Sequence, residues 1–171
     1  ATLTIQPGTE IRMGEGAFLR TLGRLFSQGT DIDPIVFTSA SATPAAGDWQ
    51  GIELWQDHPD PQQISRIDHT TFLWGYRPVQ VHNGSHDIGP DNIIQDFSNT
   101  GIWVAALATA EPSIHDNHIE QVDWDLQYTG YGMWLTGGRP TIPVTHNKMI
   151  RVNFGIRSLH TDLILNDNCF E

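Results

Sequence analysis

The chain has 171 residues, with 20 Asp and Glu against 9 Lys and Arg, and a net charge of −11. That length supports one sizeable core and one domain, read as 1–171. The acidic balance excludes nucleic acid and anionic membrane surfaces as partners, because both need clustered Lys and Arg. It also disfavours acidic polysaccharides unless a cation bridges.

The first element is the bare strand "ATLTIQ", followed by a "PGT" turn. The opening Ala1-Thr2-Leu3 without Met suits a processed secreted protein or an excised domain. No signal peptide and no run of 18 apolar residues occur, so no membrane insertion is expected. Next comes "AGDWQGIELW" at 46–55, where a Gly precedes a short apolar alternation. The same step returns at Gly101-Ile102, Gly132-Met133 and Gly155-Ile156.

The later elements repeat the pattern Asn, x, apolar, x, x, apolar, polar. It starts at Asn92, Asn117 and Asn147, with a partial copy at Asn168 and a degenerate one over 64–68. A third apolar piece follows at 112–114, 140–144 and 163–165. Short alternating pieces broken by Gly, Pro, Asn and Asp are strand chemistry. Three strands per period of ~25 residues predict a β-solenoid, a right-handed parallel β-helix of about seven coils. The four Asn residues are expected to form a corner ladder, since an amide at ~4.8 Å spacing reaches its neighbours above and below. The Gly of each step is expected at a corner, easing backbone angles and letting coils approach.

Two stretches, "LTIQPGTEIRMG" at 3–14 and "DPIVFTSASATPAAGDWQGIEL" at 33–54, resemble the opening coils of secreted right-handed parallel β-helix proteins of the pectin-lyase-like superfamily. The matching blocks are the "TIxPGT" turn at 4–9, the "PIxFTS" strand at 34–39 and the "GDWxGI" step at 47–52. The resemblance implies the fold and an extracellular or cell-surface location. It implies little about activity, because that superfamily holds lyases, hydrolases, adhesins and structural modules. Family members are usually longer and capped, so the C-terminal end is read as incomplete.

Candidate catalytic residues are weak. Asp68, Ser98, Asp123 and Asn153 are expected in one column, where Asp68 and Asp123 two coils apart would fall near the carboxylate separation of a glycosidase. A plain ladder of turn residues explains the column better, so no catalytic residue is assigned. The insertion "WDLQYTGY" at 124–131 carries Asp125, Tyr128 and Tyr131 and suits a binding loop or a simple bulge. In "HDNH", His115 and His118 lack a third ligand, so no metal and no cofactor are expected. The residues two after each Gly are Glu53, Trp103, Trp134 and Arg157. They should face outward in one column, with Trp103 stacked on Trp134 and Arg157 beside it. Such a strip can bind sugar rings, and Tyr131 joins it as a candidate ligand residue.

The leading expectation is a non-enzymatic, secreted or surface structural or adhesive module. The rival is a carbohydrate-active enzyme or sugar-binding module. Partners are polysaccharide or copies of the chain itself. Stacking end to end would join Leu3 and Ile5 to Leu163, Leu165, Cys169 and Phe170, with Cys169 placed to reinforce the contact.

Overall fold

The computed structural model describes residues 1–55, 64–106, 110–122, 130–138 and 141–171. The described residues form twenty strands and no helix. The first coil holds β1 (Thr2–Ile5), β2 (Glu10–Met13) and β3 (Phe18–Thr21). The second holds β4 (Arg24–Gln28), β5 (Ile35–Ser39) and β6 (Gly51–Leu54), and the third β7 (Arg66–Asp68), β8 (Thr70–Leu73) and β9 (Val79–Val81). The fourth holds β10 (Asp87–Ile88), β11 (Ile93–Gln95) and β12 (Thr100–Ala106), and the fifth β13 (Ser113–His115), β14 (His118–Glu120) and β15 (Tyr131–Gly137). The sixth holds β16 (Thr141–Thr145), β17 (Lys148–Ile150) and β18 (Phe154–Leu159), and the last β19 (Asp162–Asn166) and β20 (Cys169–Phe170).

Each strand pairs in parallel with its counterpart one coil away, giving two sheets of seven strands and one of six. The chain is a right-handed parallel β-helix of about seven coils with three strands each. Alternation sends every second side chain inward. In the second sheet Ile11, Phe37, Phe72, Ile94, Ile119, Met149 and Phe170 form one inward column. The Phe37 and Phe72 rings stack at 5.2 Å. In the third sheet Ile52, Val79, Ile102 and Met133 do the same and are fully buried. Each such side chain contributes about 1.5–3 kcal/mol on leaving water.

The Asn ladder forms at the corner between the first and second sheets. Asn92 Nδ2 donates to Asn117 Oδ1 at 2.9 Å, Asn117 Nδ2 to Asn147 Oδ1 at 2.8 Å, and Asn147 Nδ2 to Asn168 Oδ1 at 3.0 Å. The amides also reach the backbone carbonyls of Ile67, Ile88, Ile114 and Val144. Asn92, Asn117 and Asn147 are buried, so the ladder is an internal hydrogen-bond column. The residue before each Asn, and His69 in the third coil, has a left-handed backbone. The φ values are 43° at His69, 58° at Asp91, 52° at Asp116, 56° at His146 and 49° at Asp167. Asp and His are among the side chains that tolerate this region.

Two expectations change. Only the first of the four step glycines has a left-handed φ: Gly51 is at 137°, and a Cβ there would strike the Arg77 carbonyl. Gly132 lies inside β15, where a Cβ would sit 2.7 Å from the Gly155 carbonyl oxygen and 2.8 Å from Met149 Sδ. The glycine there is a spacing residue, and the left-handed residues that leave the second sheet at that corner are Trp74, Asp96 and Arg151. Asp68 also does not share a column with Ser98, and Asp123 lies outside the described residues. Asp68 ends β7 of the first sheet opposite Gln28, while Ser98 follows the second sheet's β11. The segment at 64–68 runs into the first-sheet strand β7, whose alternation mimics the second-sheet repeat.

Candidate ligand-binding face

The outer face of the third sheet carries the expected column. Register places Arg20, Glu53, Gln80, Trp103, Trp134 and Arg157 opposite one another on successive strands. Their inward neighbours Ile102, Val104, Met133 and Leu135 are fully buried, so both tryptophans face out, half-buried. Gln80 stands between Glu53 and Trp103, a rung the Gly-step pattern does not count because Val79 follows a proline.

Trp103 and Trp134 do not close a ring-on-ring pair. The Arg77 guanidinium lies 5.3 Å from the Trp103 ring centroid and 5.9 Å from that of Trp134, within cation–π reach of both. Arg77 Nε is held by Asn99 Oδ1 at 2.8 Å. Beyond Trp134, Arg157 sits 4.4 Å over its ring and 5.4 Å over Tyr131, and donates to the Tyr131 hydroxyl at 2.9 Å. Tyr131 stacks on Phe154 at 4.9 Å.

On the other side, the next outward column supplies Trp55 and His82, stacked at 4.0 Å and 13°. His82 meets the edge of Trp103 at 4.9 Å. Arg20 lies 5.1 Å over Trp55 and pairs with Glu53 at 2.6 Å. Burial opposes ionisation of Glu53, but hydrogen bonds from Arg20 and Trp55 outweigh it and hold its carboxyl below the usual range. Burial pushes the His82 imidazole down, with Arg20 and Arg77 adding to it against Glu53, so it favours the neutral form. The result is a continuous band of alternating aromatic and arginine groups across six strands, about 24 Å long at the strand spacing.

A concave groove lies elsewhere, at the corner between the first and second sheets. It has a volume of about 480 Å³ and is lined in part by Thr30, Asp31, His69, Asp91, Asp116 and His146. His115 Nε2 meets Asp87 at 3.0 Å and its Nδ1 meets Asp116 at 2.9 Å. Burial disfavours charge on His115, yet the bonds to Asp116 and Asp87 prevail and raise its pKa. His118, the other imidazole of "HDNH", belongs to the second sheet and meets Glu120 at 3.0 Å.

No family model, no curated protein and no solved structure matches the chain.

Of the sequence-derived candidates, Trp103, Trp134, Arg157 and Tyr131 come together on one face. Asp68 accepts from Gln28 Nε2 at 2.8 Å and lies at the corner, away from that face. Asp123, Asp125 and Tyr128 lie outside the described residues. Leu3 and Ile5 lie on β1, Leu163 and Leu165 on β19, and Cys169 and Phe170 on β20, the outermost rungs of the first two sheets. Leu3 is 42% exposed and Leu165 and Phe170 are each 54% exposed. The sequence pattern missed Trp55 and His82, although the two-residue strand period from Glu53 and Gln80 points to both. It also missed Arg77, which lies before β9, level with Gln50 and Thr100 of the neighbouring coils, and carries no Gly-step signal.

Proposed function

We propose that this chain is a non-enzymatic, extracellular or surface-displayed β-helix module that adheres to polysaccharide along the outer face of its third sheet. One observation carries the reading: a band of aromatic rings and guanidinium groups, fixed by β-register, that extends across successive coils. Aromatic faces offer apolar, polarisable platforms to the C–H faces of sugar rings, and arginines beside them donate to hydroxyls or carboxylates. A parallel β-helix repeats its outer face every ~4.8 Å, so one contact chemistry can continue along a linear chain. The resemblance of 3–14 and 33–54 to secreted β-helix proteins supports the location. The carboxylate of that column, Glu53, is already bonded to Arg20 and Trp55, which favours binding over hydrolysis.

The test is affinity electrophoresis of the protein through gels containing neutral or uronate-bearing polysaccharides. Retardation by one class is expected, with at least a tenfold weaker association constant in Trp103→Ala and Trp134→Ala. Uniform mobility in every gel would overturn the reading. So would retardation that both variants retain in full. The two gel classes decide whether the face takes neutral sugar or overcomes the overall negative charge through Arg20, Arg77 and Arg157.

A further inference from the structure

The corner groove supplies a second chemistry, independent of the aromatic face. Three successive coils each place one ligand-type side chain at its upper end. Asp31 follows β4, His69 follows β7 and Asp91 follows β10. Their ligating atoms all lie within 4.8 Å of one another. His69 Nε2 is 3.2 Å from Asp31 Oδ1 and 3.5 Å from Asp91 Oδ2. A charge-assisted N–H···O bond would be shorter, about 2.7–2.9 Å. The edge of a tetrahedron around a zinc-sized ion with ligands at about 2.0–2.1 Å is about 3.3 Å. The two observed separations bracket that edge. The Asp31 and Asp91 side chains are 88% and 62% exposed, so their carboxylates are free to close the third edge.

The opposite side of the imidazole completes the arrangement. His69 Nδ1 is buried without a hydrogen-bond partner, and Asp68 Oδ1 stands 3.5 Å from it. A small ring rotation makes Nδ1–H a donor to Asp68. That fixes Nε2 as the free lone pair facing Asp31 and Asp91, the usual support of a metal-bound histidine. Asp31 and Asp91 bring two carboxylates to one point, which a divalent cation neutralises.

We propose that Asp31, His69 and Asp91 bind one divalent transition metal of the zinc class, with Asp68 as the positioning residue behind His69. The imidazole and the three-ligand set favour zinc over calcium, which takes six to eight oxygens at longer distances. The fourth position opens to the groove and takes water. Bound there, the metal ties the second, third and fourth coils together across their corner and stabilises the fold by mass action.

The full chain, stripped with chelator, is titrated with Co2+ and then with Zn2+ near neutral pH. The intense visible absorption of a tetrahedral Co2+ centre is expected, lost on adding equimolar Zn2+ and unaffected by excess Ca2+. Zn2+ should also raise the thermal unfolding midpoint. His69→Asn suits the left-handed φ of 43° at that position and should abolish the absorption. Asp91→Asn, at an exposed carboxylate, should weaken Zn2+ binding at least tenfold. Asp68→Asn should weaken it about tenfold with the stoichiometry unchanged. A wild-type protein with no tetrahedral spectrum and no Zn2+-dependent midpoint would overturn the proposal. So would His69→Asn or Asp91→Asn binding Zn2+ as tightly as wild type, which would move the ion to the other corner histidines.

Discussion

His86 shows how one side chain couples the fold to pH. Its ring is 1% exposed. Nδ1 accepts from the Ser65 N–H at 3.1 Å and Nε2–H donates to the Asn83 carbonyl at 2.8 Å. The neutral imidazole is therefore fully bonded, and a proton on Nδ1 would break the bond from Ser65. Burial pushes its pKa down to about 4, against a small opposing pull from the Asn83 carbonyl. The folded value lies below the ordinary value of about 6.5, so the unfolded chain binds the proton more readily. The contribution is complete above pH ~6.5 and is lost as pH falls towards ~4, to a total of about 3 kcal/mol. His115 has the opposite sign: its raised pKa stabilises at low pH and fades as pH rises through that value. Denaturation midpoints measured from pH 7 to 4 should fall for wild type and fall less for His86→Gln. An NMR titration that places the His86 ring near pH 6.5 would contradict this account.

At the scale of the element, the corner column decides whether the coils stack in register. Asn117 bonds upward to Asn147, downward to Asn92 and sideways to the Ile88 carbonyl. Asn117→Ala removes these bonds and strands buried partners on both sides, at about 3 kcal/mol. Its unfolding midpoint should drop well below that of Asn168→Ala, because Asn168 stands at the end of the column, bonded to only one ladder neighbour. Equal drops would mean the ladder is not cooperative. This column was legible in the sequence because Asn92, Asn117, Asn147 and Asn168 keep register with the apolar positions. The left-handed residue just before each Asn was equally visible, as Asp91, Asp116, His146 and Asp167, but the change to His at 146 breaks the series and hides the repeat. The first two coils were legible as blocks rather than as a ladder. The counterpart of Asn92 is Thr70 in the third coil and Ile35 in the second, which no Asn pattern finds. Asp31 carries no repeat signal at all, since it lies on the connection between β4 and β5.

At the scale of the molecule, a β-helix converts a one-dimensional repeat into long flat faces, and function then depends on which outward column carries chemistry. Trp103, Trp134 and Arg157 were legible because the Gly step sets their direction. Their mutual arrangement was not, because Arg77 enters from outside the repeat and holds the space between the two rings. The chain contains six tryptophans, which makes the face directly observable. Trp49 is an internal reference: it is fully buried, and its Nε1 donates to the Leu73 carbonyl at 2.8 Å. The measurement that tests the central claim most directly is an NMR titration of the indole N–H signals with a soluble oligosaccharide of the polysaccharide class retained in the gels. The account predicts that the Trp103 and Trp134 signals shift in a saturable manner while Trp49 stays fixed. Saturable binding that leaves Trp103 and Trp134 unmoved would contradict it.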